Sequence, residues 1–304
     1  MSESRSRVVL GFFTLIGVMF ISLLIFSFLL MKNFSSNDFG DIAKSSEESN
    51  IGVVEISGPI MESKTIVKKL LKAEEDKSIK AIIVRIDSPG GAVGPTQEIY
   101  DEILRIDSDK PVYASFGSVA ASGGYYIGAA ARKIYANKGT ITGSIGVIMQ
   151  FADLSKIFEF LKFRPETIKS GLYKDIGTPN RAMTSKEKEL LNQTISKVHN
   201  QFRQDILKRR EGKIKGDLIS ISQGQIFSGE EALENGLIDG IGGLWGLAKD
   251  IHEELGLEGD YKELKFIKLK KDFPLAKILE NLEDPSSIAQ NIFLRLSQPQ
   301  LFAF

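Results

Sequence analysis

The chain has 304 residues, enough for one large domain or two small ones. Hydrophobic residues make up 42% and charged residues 26%, ordinary values for a globular protein that buries a core. The 39 basic residues balance the 39 acidic ones, so we expect no nucleic-acid partner, and the lack of cysteine excludes disulfide bonds, a cysteine nucleophile and thiolate metal sites.

The composition of the first 31 residues differs from the average of the chain. After a short tail at residues 1–7, Val8–Met31 is a run of 24 residues without a charged side chain. About 20 apolar residues in a helix span a bilayer core, whereas the apolar region of a cleaved signal peptide has roughly 7–15 residues. We therefore predict a retained transmembrane anchor over residues 8–31. Arg5 and Arg7 precede it, which favours a cytoplasmic N-terminus and an exported body.

Residues 32–50 are rich in Ser, Asp, Glu and Asn, and this composition is typical of a flexible linker. From Ile51 onward, short β-branched runs alternate with segments of helical spacing. The predicted strands include Ile51–Ser57, Ala81–Asp87 and Pro111–Phe116, and the small residues of Ser118–Ala131 predict a buried helix. Alternating strands and helices indicate an α/β layer architecture.

Later elements are also marked in the sequence. Apolar residues at helical spacing predict a long amphipathic helix through Leu191, Ile195, Val198 and Phe202. Capping boxes are predicted at two helix starts, in which Thr184 pairs with Glu187 and Ser228 pairs with Glu231. We place the globular domain at residues 51–260 and a C-terminal extension at residues 261–304, for which we expect oligomer contacts.

The two histidines narrow the possible chemistry, because a Ser-His-Asp triad needs a histidine base. His199 lies beside the apolar stripe of the long helix, and His252 lies in a Glu-rich helix. Neither has metal-ligand spacing, so we expect structural or surface roles for both and no metal or cofactor. A hydrolase with this sequence needs a different base.

Ser122 is a candidate nucleophile, since it follows the strand-like run Pro111–Phe116 among small residues. A helix that begins there offers free N–H groups to an oxyanion, and the glycines after the serine let a substrate backbone approach closely. Tight packing of a small-residue helix explains the same pattern, so the residues alone leave both interpretations open.

Two further segments invite a catalytic interpretation. The loop Ser88–Gly91 ends a predicted strand, and its paired glycines either expose N–H groups to an oxyanion or form an ordinary turn. Lys174 lies in the loop Ser170–Asp175. A lysine serves as a base when burial lowers its pKa, but loop lysines are ordinarily solvated.

Five motifs occur in a fixed order, and their combination is more specific than any one of them: IDSPGG, SVAASGGYY, TGSIGV, SGLYKDIGTPNRAMT and GQIFSGEEALENGLID. Over roughly Gly52–Leu255 the chain resembles the bacterial signal peptide peptidase A family. The resemblance implies an α/β fold of the Clp protease/crotonase type, with repeated ββα units after one N-terminal transmembrane helix.

The resemblance also implies roles for individual residues. Ser122 is expected to be the nucleophile and Lys174 the general base, with Ser144 orienting the lysine. Gly91 and the amide of Gly123 are expected to bind the oxyanion. The nearby Ser118 is expected to have no catalytic role.

The implied function is a membrane-anchored Ser/Lys endopeptidase that degrades cleaved signal peptides and other short or extended peptides outside the cytoplasm. The chain has no G-x-x-x-x-G-K-[ST] loop, so we expect no ATP-driven unfolding. It has one structural unit where longer relatives have two, which implies a ring of identical chains. The alternatives are a related membrane protease that cuts one specific partner protein, a non-catalytic scaffold of the same fold, and a crotonase-type acyl-CoA enzyme.

Overall fold

The computed structural model of the chain describes residues 49–269 and 301–303, which form alternating strands and helices. The strands of this part are β1 (Ile51–Ser57), β2 (Ala81–Ser88), β3 (Gly91–Ala92), β4 (Val112–Ala121), β5 (Ile134–Ala136), β6 (Ile141–Gly143), β7 (Ile148–Met149), β8 (Ile226–Ser228), β9 (Gly240–Ile241), β10 (Leu264–Phe266) and β11 (Leu301–Ala303). Its helices are α1 (Lys64–Glu75), α2 (Val93–Asp107), α3 (Gly123–Gly128), α4 (Ser155–Phe160), α5 (Ser185–Arg210), α6 (Leu218–Ile221), α7 (Gly229–Glu234) and α8 (Leu244–Leu255).

A parallel ladder in the order β10–β1–β2–β4–β5–β9 forms the centre of the fold. Its inner strands are apolar on both faces, and the first four residues of β2, Ala81–Val84, are all buried. Such continuous apolar runs are typical of parallel sheets that are covered on both sides. Helices α1, α2, α3 and α5 contribute to the core cluster of one face, and α8 covers the other face. The predicted α/β class is confirmed.

Strand β4 is longer than predicted and pairs with two different strands. Its first half pairs with β5 through Ala114 and Ser115, whereas Val119, Ala120 and Ala121 pair with β6. The predicted helix at Ser118–Ala131 therefore begins only at residue 123. Pairing with β6 extends β4 through Val119–Ala121, a segment that is compatible in sequence with either a strand or a helix.

Two smaller groups of strands lie outside the central parallel ladder. Strand β8 pairs antiparallel with β6, and a separate sheet has the order β3–β11–β7.

Ser49 and Asn50, which the sequence analysis placed in the linker, contact the domain. Ser49 is buried, and the carbonyl of Asn50 accepts a hydrogen bond from the Lys80 amide.

The predicted anchor at residues 8–31 lies outside the described residues, as does nearly all of the linker. Among residues 49–269 and 301–303, no helix has both the length and the apolar character needed to cross a bilayer.

Both predicted capping boxes are confirmed. At the start of α5, Thr184 accepts a hydrogen bond from the Glu187 amide while the Glu187 side chain accepts one from the Thr184 amide. Ser228 and Glu231 do the same at α7. These reciprocal bonds satisfy N–H groups that have no acceptor inside the helix, so each helix begins where the sequence places it.

A buried ion pair fastens the end of α5 to the sheet. Arg210 is 1% exposed, and its guanidinium binds Asp239 and the carbonyl of Gly236. Lys213 and the Ile134 amide also donate to Asp239. Burial alone would raise the pKa of Asp239, but these partners outweigh it and lower the pKa.

We expect Asp239→Asn to lower the free energy of unfolding by about 3 kcal/mol or more, because it leaves the Arg210 charge buried without a counter-ion. Since the pKa of Asp239 is lowered in the folded state, its stabilisation is complete above the ordinary aspartate pKa of about 3.9 and is lost as the pH falls through the folded value. Urea denaturation at neutral and acidic pH measures both effects.

The matched control is Glu230→Gln, which breaks the exposed Lys138–Glu230 pair. It should change the free energy of unfolding by less than about 1 kcal/mol. Equal effects of the two variants would contradict a special role for the buried pair.

Candidate active site

Ser122 occupies the junction between β4 and α3 in a strained backbone conformation. Its φ is 52° and its ψ is −114°. The Ser122 amide donates to the Gly143 carbonyl at 2.8 Å, and its carbonyl accepts from the Tyr126 amide at 2.8 Å. Positive φ is unfavourable for a residue with a Cβ and costs on the order of 1–3 kcal/mol, so the strand on one side and the helix on the other must hold it in place.

The hydroxyl of Ser122 is buried and has no hydrogen-bond partner among the described residues. The residue is 0% exposed, and within residues 49–269 and 301–303 its Oγ makes no hydrogen bond. A buried polar atom without a partner is destabilising and rare in folded proteins. By contrast, Ser118, on the same strand, is exposed. Ser122 is thus the serine whose hydroxyl is left available in a protected position.

Two glycine amides lie beside this serine. A Cβ placed on Gly123 would be 3.2 Å from the Gly91 nitrogen and 3.3 Å from the Gly90 Cα, so the two loops are in close contact. Gly123 is the first residue of α3, where an N–H has no acceptor inside the helix. A Cβ on Gly91 would lie 2.0 Å from the Ile60 carbonyl oxygen, which leaves no room for a side chain.

Ser144 lies next to the Ser122 backbone at the end of the neighbouring strand. Ala121 of β4 pairs with Gly143 of β6, so Ser122 and Ser144 each follow one of two adjacent parallel strands. Ser144 also has a positive φ, 50°, and its amide donates to the Gln225 carbonyl at 2.6 Å. The structure therefore brings together Ser122, Ser144, Gly91 and Gly123 at one edge of the sheet.

Lys174 is not part of this cluster within one chain. It is exposed, and no residue of the stretch 146–186 is buried. Ser122 Oγ has no hydrogen-bond partner in the described residues, so no hydrogen bond joins it to Lys174 there.

Ion pairs nevertheless hold the Lys174 loop in a defined conformation. The adjacent Asp175 binds Arg181 and Lys169, and Arg181 also binds Glu187 at the start of α5. Arg181 and Lys169 lower the pKa of Asp175 to about 2, and Arg181, with the Thr184 amide, lowers the pKa of Glu187 to about 2. The loop is thereby tied to the capping box of the long helix.

The same stretch exposes an unusual amount of apolar surface. Ile168 is 96% exposed and Phe160 84%. Large exposed apolar groups that recur within one segment are typical of interaction surfaces. The other members of this set are Ile148, Ile157, Leu161, Phe163, Leu172 and Tyr173.

Within the described residues, neither histidine makes a hydrogen bond to Ser122 Oγ. His199 packs close to the Ser222 and Ile145 backbones, and its burial, together with the Arg203 charge, lowers its pKa. His252 lies on α8. In the described part of the chain, no group of three or more His, Cys, Asp or Glu side chains is arranged to hold a metal ion.

Sequence reasoning missed several residues that shape the site. Thr96 is buried, and its Oγ1 lies 2.9 Å from the position of a Cβ on Gly123. Arg181 binds two carboxylates across the Lys174 loop. Thr96 belongs to a segment without a distinctive motif. Arg181 lies inside the motif SGLYKDIGTPNRAMT, six residues from each of its two carboxylate partners, and that pattern of charges was a usable signal.

Known proteins resemble this chain over the region that contains the site. The model of peptidase family S49 matches residues 105–258, and the model of Clp protease matches residues 46–140. A candidate protease of Synechocystis sp. is 39% identical over 66% of this chain and 72% of its own length. The mixed α/β architecture agrees with a Clp protease-like fold.

Two further relatives have more specific names. A candidate signal peptide peptidase SppA of Enterococcus faecium is 34% identical over 67% of this chain and 58% of its own length. The chloroplastic serine protease SPPA of Arabidopsis thaliana is 36% identical over 64% of this chain. The matched region spans 28% of the Arabidopsis protein, so the two differ greatly in the length outside it.

We expect Ser122→Ala to leave the free energy of unfolding unchanged or to raise it by up to about 1 kcal/mol, because it removes a buried hydroxyl that has no partner in the described residues. Thr142→Val is the contrasting variant, since Thr142 is equally buried but donates to the Ala120 carbonyl at 2.6 Å. It should lower the free energy of unfolding by about 1 kcal/mol. Denaturant unfolding measures both, and a loss above about 1 kcal/mol for Ser122→Ala would reveal a structural role for its hydroxyl.

Proposed function

The chain belongs to peptidase family S49, a family of serine peptidases, and from this membership we propose that it is a Ser/Lys endopeptidase that degrades cleaved signal peptides and other short or extended peptides at a membrane. The observation that carries the proposal is the buried hydroxyl of Ser122, without a partner in the described residues, beside the amides of Gly91 and Gly123.

In the proposed reaction, neutral Lys174 takes the proton of Ser122 Oγ, and the oxygen attacks the carbonyl carbon of a peptide bond. Ser144 positions the lysine amine by a hydrogen bond. The negative charge that develops on the carbonyl oxygen is stabilised by the Gly91 and Gly123 amides, and such donors typically contribute about 10²–10³-fold to the rate.

Collapse of the tetrahedral intermediate breaks the peptide C–N bond, and the protonated Lys174 gives its proton to the leaving amine. Water then attacks the acyl-enzyme ester, again with Lys174 as the base, and releases the acid product and free Ser122. The proposed cycle uses no histidine and no metal.

We further propose that each site combines Ser122 of one chain with Lys174 of a neighbour. Two observations support this arrangement: Ser122 Oγ has no partner in the described residues, and Lys174 lies in an exposed, apolar stretch held by its own ion pairs. If a second copy of the chain covered this stretch, the contact would bury the apolar side chains of the stretch. The same contact would place Lys174 next to Ser122 of the second copy. Repetition of one such contact closes into a ring.

Short or extended peptides suit the geometry next to Ser122. The strands β3 and β7 each pair with β11, and an extended peptide in place of β11 would add to the same edges as a further strand. A small pocket with room for about one water molecule opens close to Tyr126 and favours a small side chain. It is lined by Val93, Thr96, Tyr126, Val147, Val198 and Phe202.

The proposal also includes the class of substrate and the location of the protein. The name of the Enterococcus relative and the apolar run at residues 8–31 both favour them. We propose a single-pass protein of the cell membrane with a cytoplasmic N-terminus and an extracytoplasmic catalytic domain. Because a protease without an ATP-driven unfoldase does not unfold folded proteins, its substrates must already be short or extended when they bind.

Ser122→Ala and Lys174→Ala should each reduce hydrolysis of a fluorogenic peptide by about 10⁴-fold or more, since members of a catalytic unit fail together. Ser118→Ala and Lys186→Ala, at exposed positions, should each retain activity within about threefold, as surface substitutions rarely matter. A fluorophosphonate probe should label Ser122, identified by mass spectrometry of the tryptic peptide. Full activity of Ser122→Ala would contradict the assignment.

Mixing inactive chains tests the shared site. When Ser122→Ala and Lys174→Ala chains are co-expressed in equal amounts, about one site in four should hold both intact residues and regain activity, because each contributor is intact half the time. If every site lies within one chain, no mixture is active. Differently tagged chains recovered together show that mixed oligomers formed, and inactivity of those oligomers would exclude sharing.

A further inference from the structure

Strand β4 contains a bulge shortly before Ser122. In this part of the ladder β2 advances by two residues while β4 advances by four, between the successive pairs Ile86–Phe116 and Ser88–Ala120. Asp87 of β2 therefore lies opposite residues 117–119 of β4. A bulge bends its strand, interrupts the ladder and leaves backbone groups without their regular partners, and bulges are common next to active sites, where they redirect a side chain.

The carboxylate of Asp87 fills the gap that this bulge opens. Its Oδ1 accepts a hydrogen bond from the Val119 amide at 3.0 Å, so a side chain of β2 takes the place of a backbone acceptor. The carboxyl group lies directly against Gly117, because a Cβ there would be 2.8 Å from the Asp87 Cγ. Gly117 does not have a positive φ. Glycine at this position therefore makes room for the carboxyl group.

Two other side chains bind carbonyl groups of the same bulge. Thr140 is buried, and its hydroxyl donates to the Gly117 carbonyl at 2.7 Å. The half-buried Arg85 donates to the Phe116 carbonyl at 2.9 Å. Asp87 supplies the acceptor and these two residues supply the donors of one set of contacts, which fixes the direction in which β4 leaves the bulge.

This direction matters because the backbone alone holds Ser122 in place. Residues 119–121 pair with β6 and lead directly into Ser122, whose φ is 52°. Among the described residues no side chain binds the Ser122 hydroxyl. A misplacement of about 1 Å in a reacting group can lower a rate by about 10²-fold, so a small change in the course of β4 is sufficient to impair attack.

We propose that Asp87 is a positioning residue, which sets the course of β4 through the Val119 amide and thereby places Ser122 for attack. This inference rests on the proposed function, because it requires Ser122 to be the nucleophile. Within the described residues Asp87 makes no hydrogen bond to Ser122 Oγ, so its effect is transmitted by the backbone. Asp87 acts on the chemical step and leaves peptide binding unchanged.

The first test removes the acceptor and then restores it. Asp87→Ala should lower kcat for a fluorogenic peptide by about 10-fold to 100-fold, with KM within about twofold of the parent chain. Asp87→Asn keeps a neutral acceptor oxygen in the same place and should retain kcat within about threefold. An unchanged kcat in Asp87→Ala, or an equal loss in Asp87→Asn, would overturn the proposal.

The matched control is Glu55→Ala. Glu55 is exposed and lies opposite Arg85 on β1, so this substitution removes a carboxylate from the same face of the sheet without altering the bulge. It should leave kcat within about twofold. A loss equal to that of Asp87→Ala would indicate a general effect of charge and would also overturn the proposal.

A second variant displaces the Asp87 carboxyl group without removing it. In Gly117→Ala the new methyl group takes the space of the carboxyl group and should lower kcat as Asp87→Ala does. Because both changes disrupt one contact, the double variant should be within about threefold of the less active single variant, whereas independent effects would multiply. Multiplied losses would contradict action through this contact.

Amide hydrogen exchange distinguishes failure of this inference from failure of the proposed function. The amides of residues 119–123 should exchange faster in Asp87→Ala than in the parent chain, whereas Asp87→Asn and Glu55→Ala should match the parent chain. This pattern in a chain that hydrolyses no peptide would support the backbone role of Asp87 and place the fault in the proposed function. Equal exchange in the parent chain and in Asp87→Ala would overturn the inference, whatever the activity.

Discussion

The parallel register of β2, β4 and β6 is the constraint on which the site depends. The ladder aligns Ser88 with Ala120 and Ala121 with Gly143, so the loops after three strands emerge at one edge of the sheet. Those loops contain Gly91, Ser122 and Ser144. A shift of any strand by one residue would turn its side chains to the opposite face and separate the three loops. The register of the sheet therefore determines how these three residues are placed relative to one another.

Close packing keeps this edge rigid where the backbone is strained. Gly128 of α3 lies so close to the Phe116 ring that a Cβ would be 2.4 Å from it, and a Cβ on Gly124 would be 2.8 Å from the Ser88 carbonyl oxygen. Small residues let α3 sit directly on β2 and β4, and this contact opposes relaxation of Ser122 to an ordinary conformation. The long helix α5 completes the support, since its Phe202 ring packs on Tyr126 with ring centroids 4.4 Å apart.

The parts of the fold and of the candidate site that depend on neighbouring residues in the chain could be predicted from the sequence. The apolar runs of β1 and β2, both capping boxes and the serine after β4 follow from patterns within a few residues. The continuation of β4 through Val119–Ala121 could not be predicted, because it depends on β6, about 20 residues further along the chain. The placement of β11 beside β3 depends on residues some 200 positions apart, for which the local sequence contains no signal. Lys174 was identified by resemblance alone, and its exposed position explains why no pattern of burial marked it.

The exposed stretch 146–186 makes the formation of complete sites depend on the concentration of the chain. A segment with no buried residue contributes little to the core, so its conformation is stabilised by its own ion pairs and by any surface that covers it. If, as proposed, the chain is anchored in a membrane and a neighbouring chain supplies that surface, the fraction of complete sites follows mass action and rises with the number of chains per unit of membrane area. Newly made chains would then stay inert until they are crowded together, and dilution would switch off proteolysis without an inhibitor.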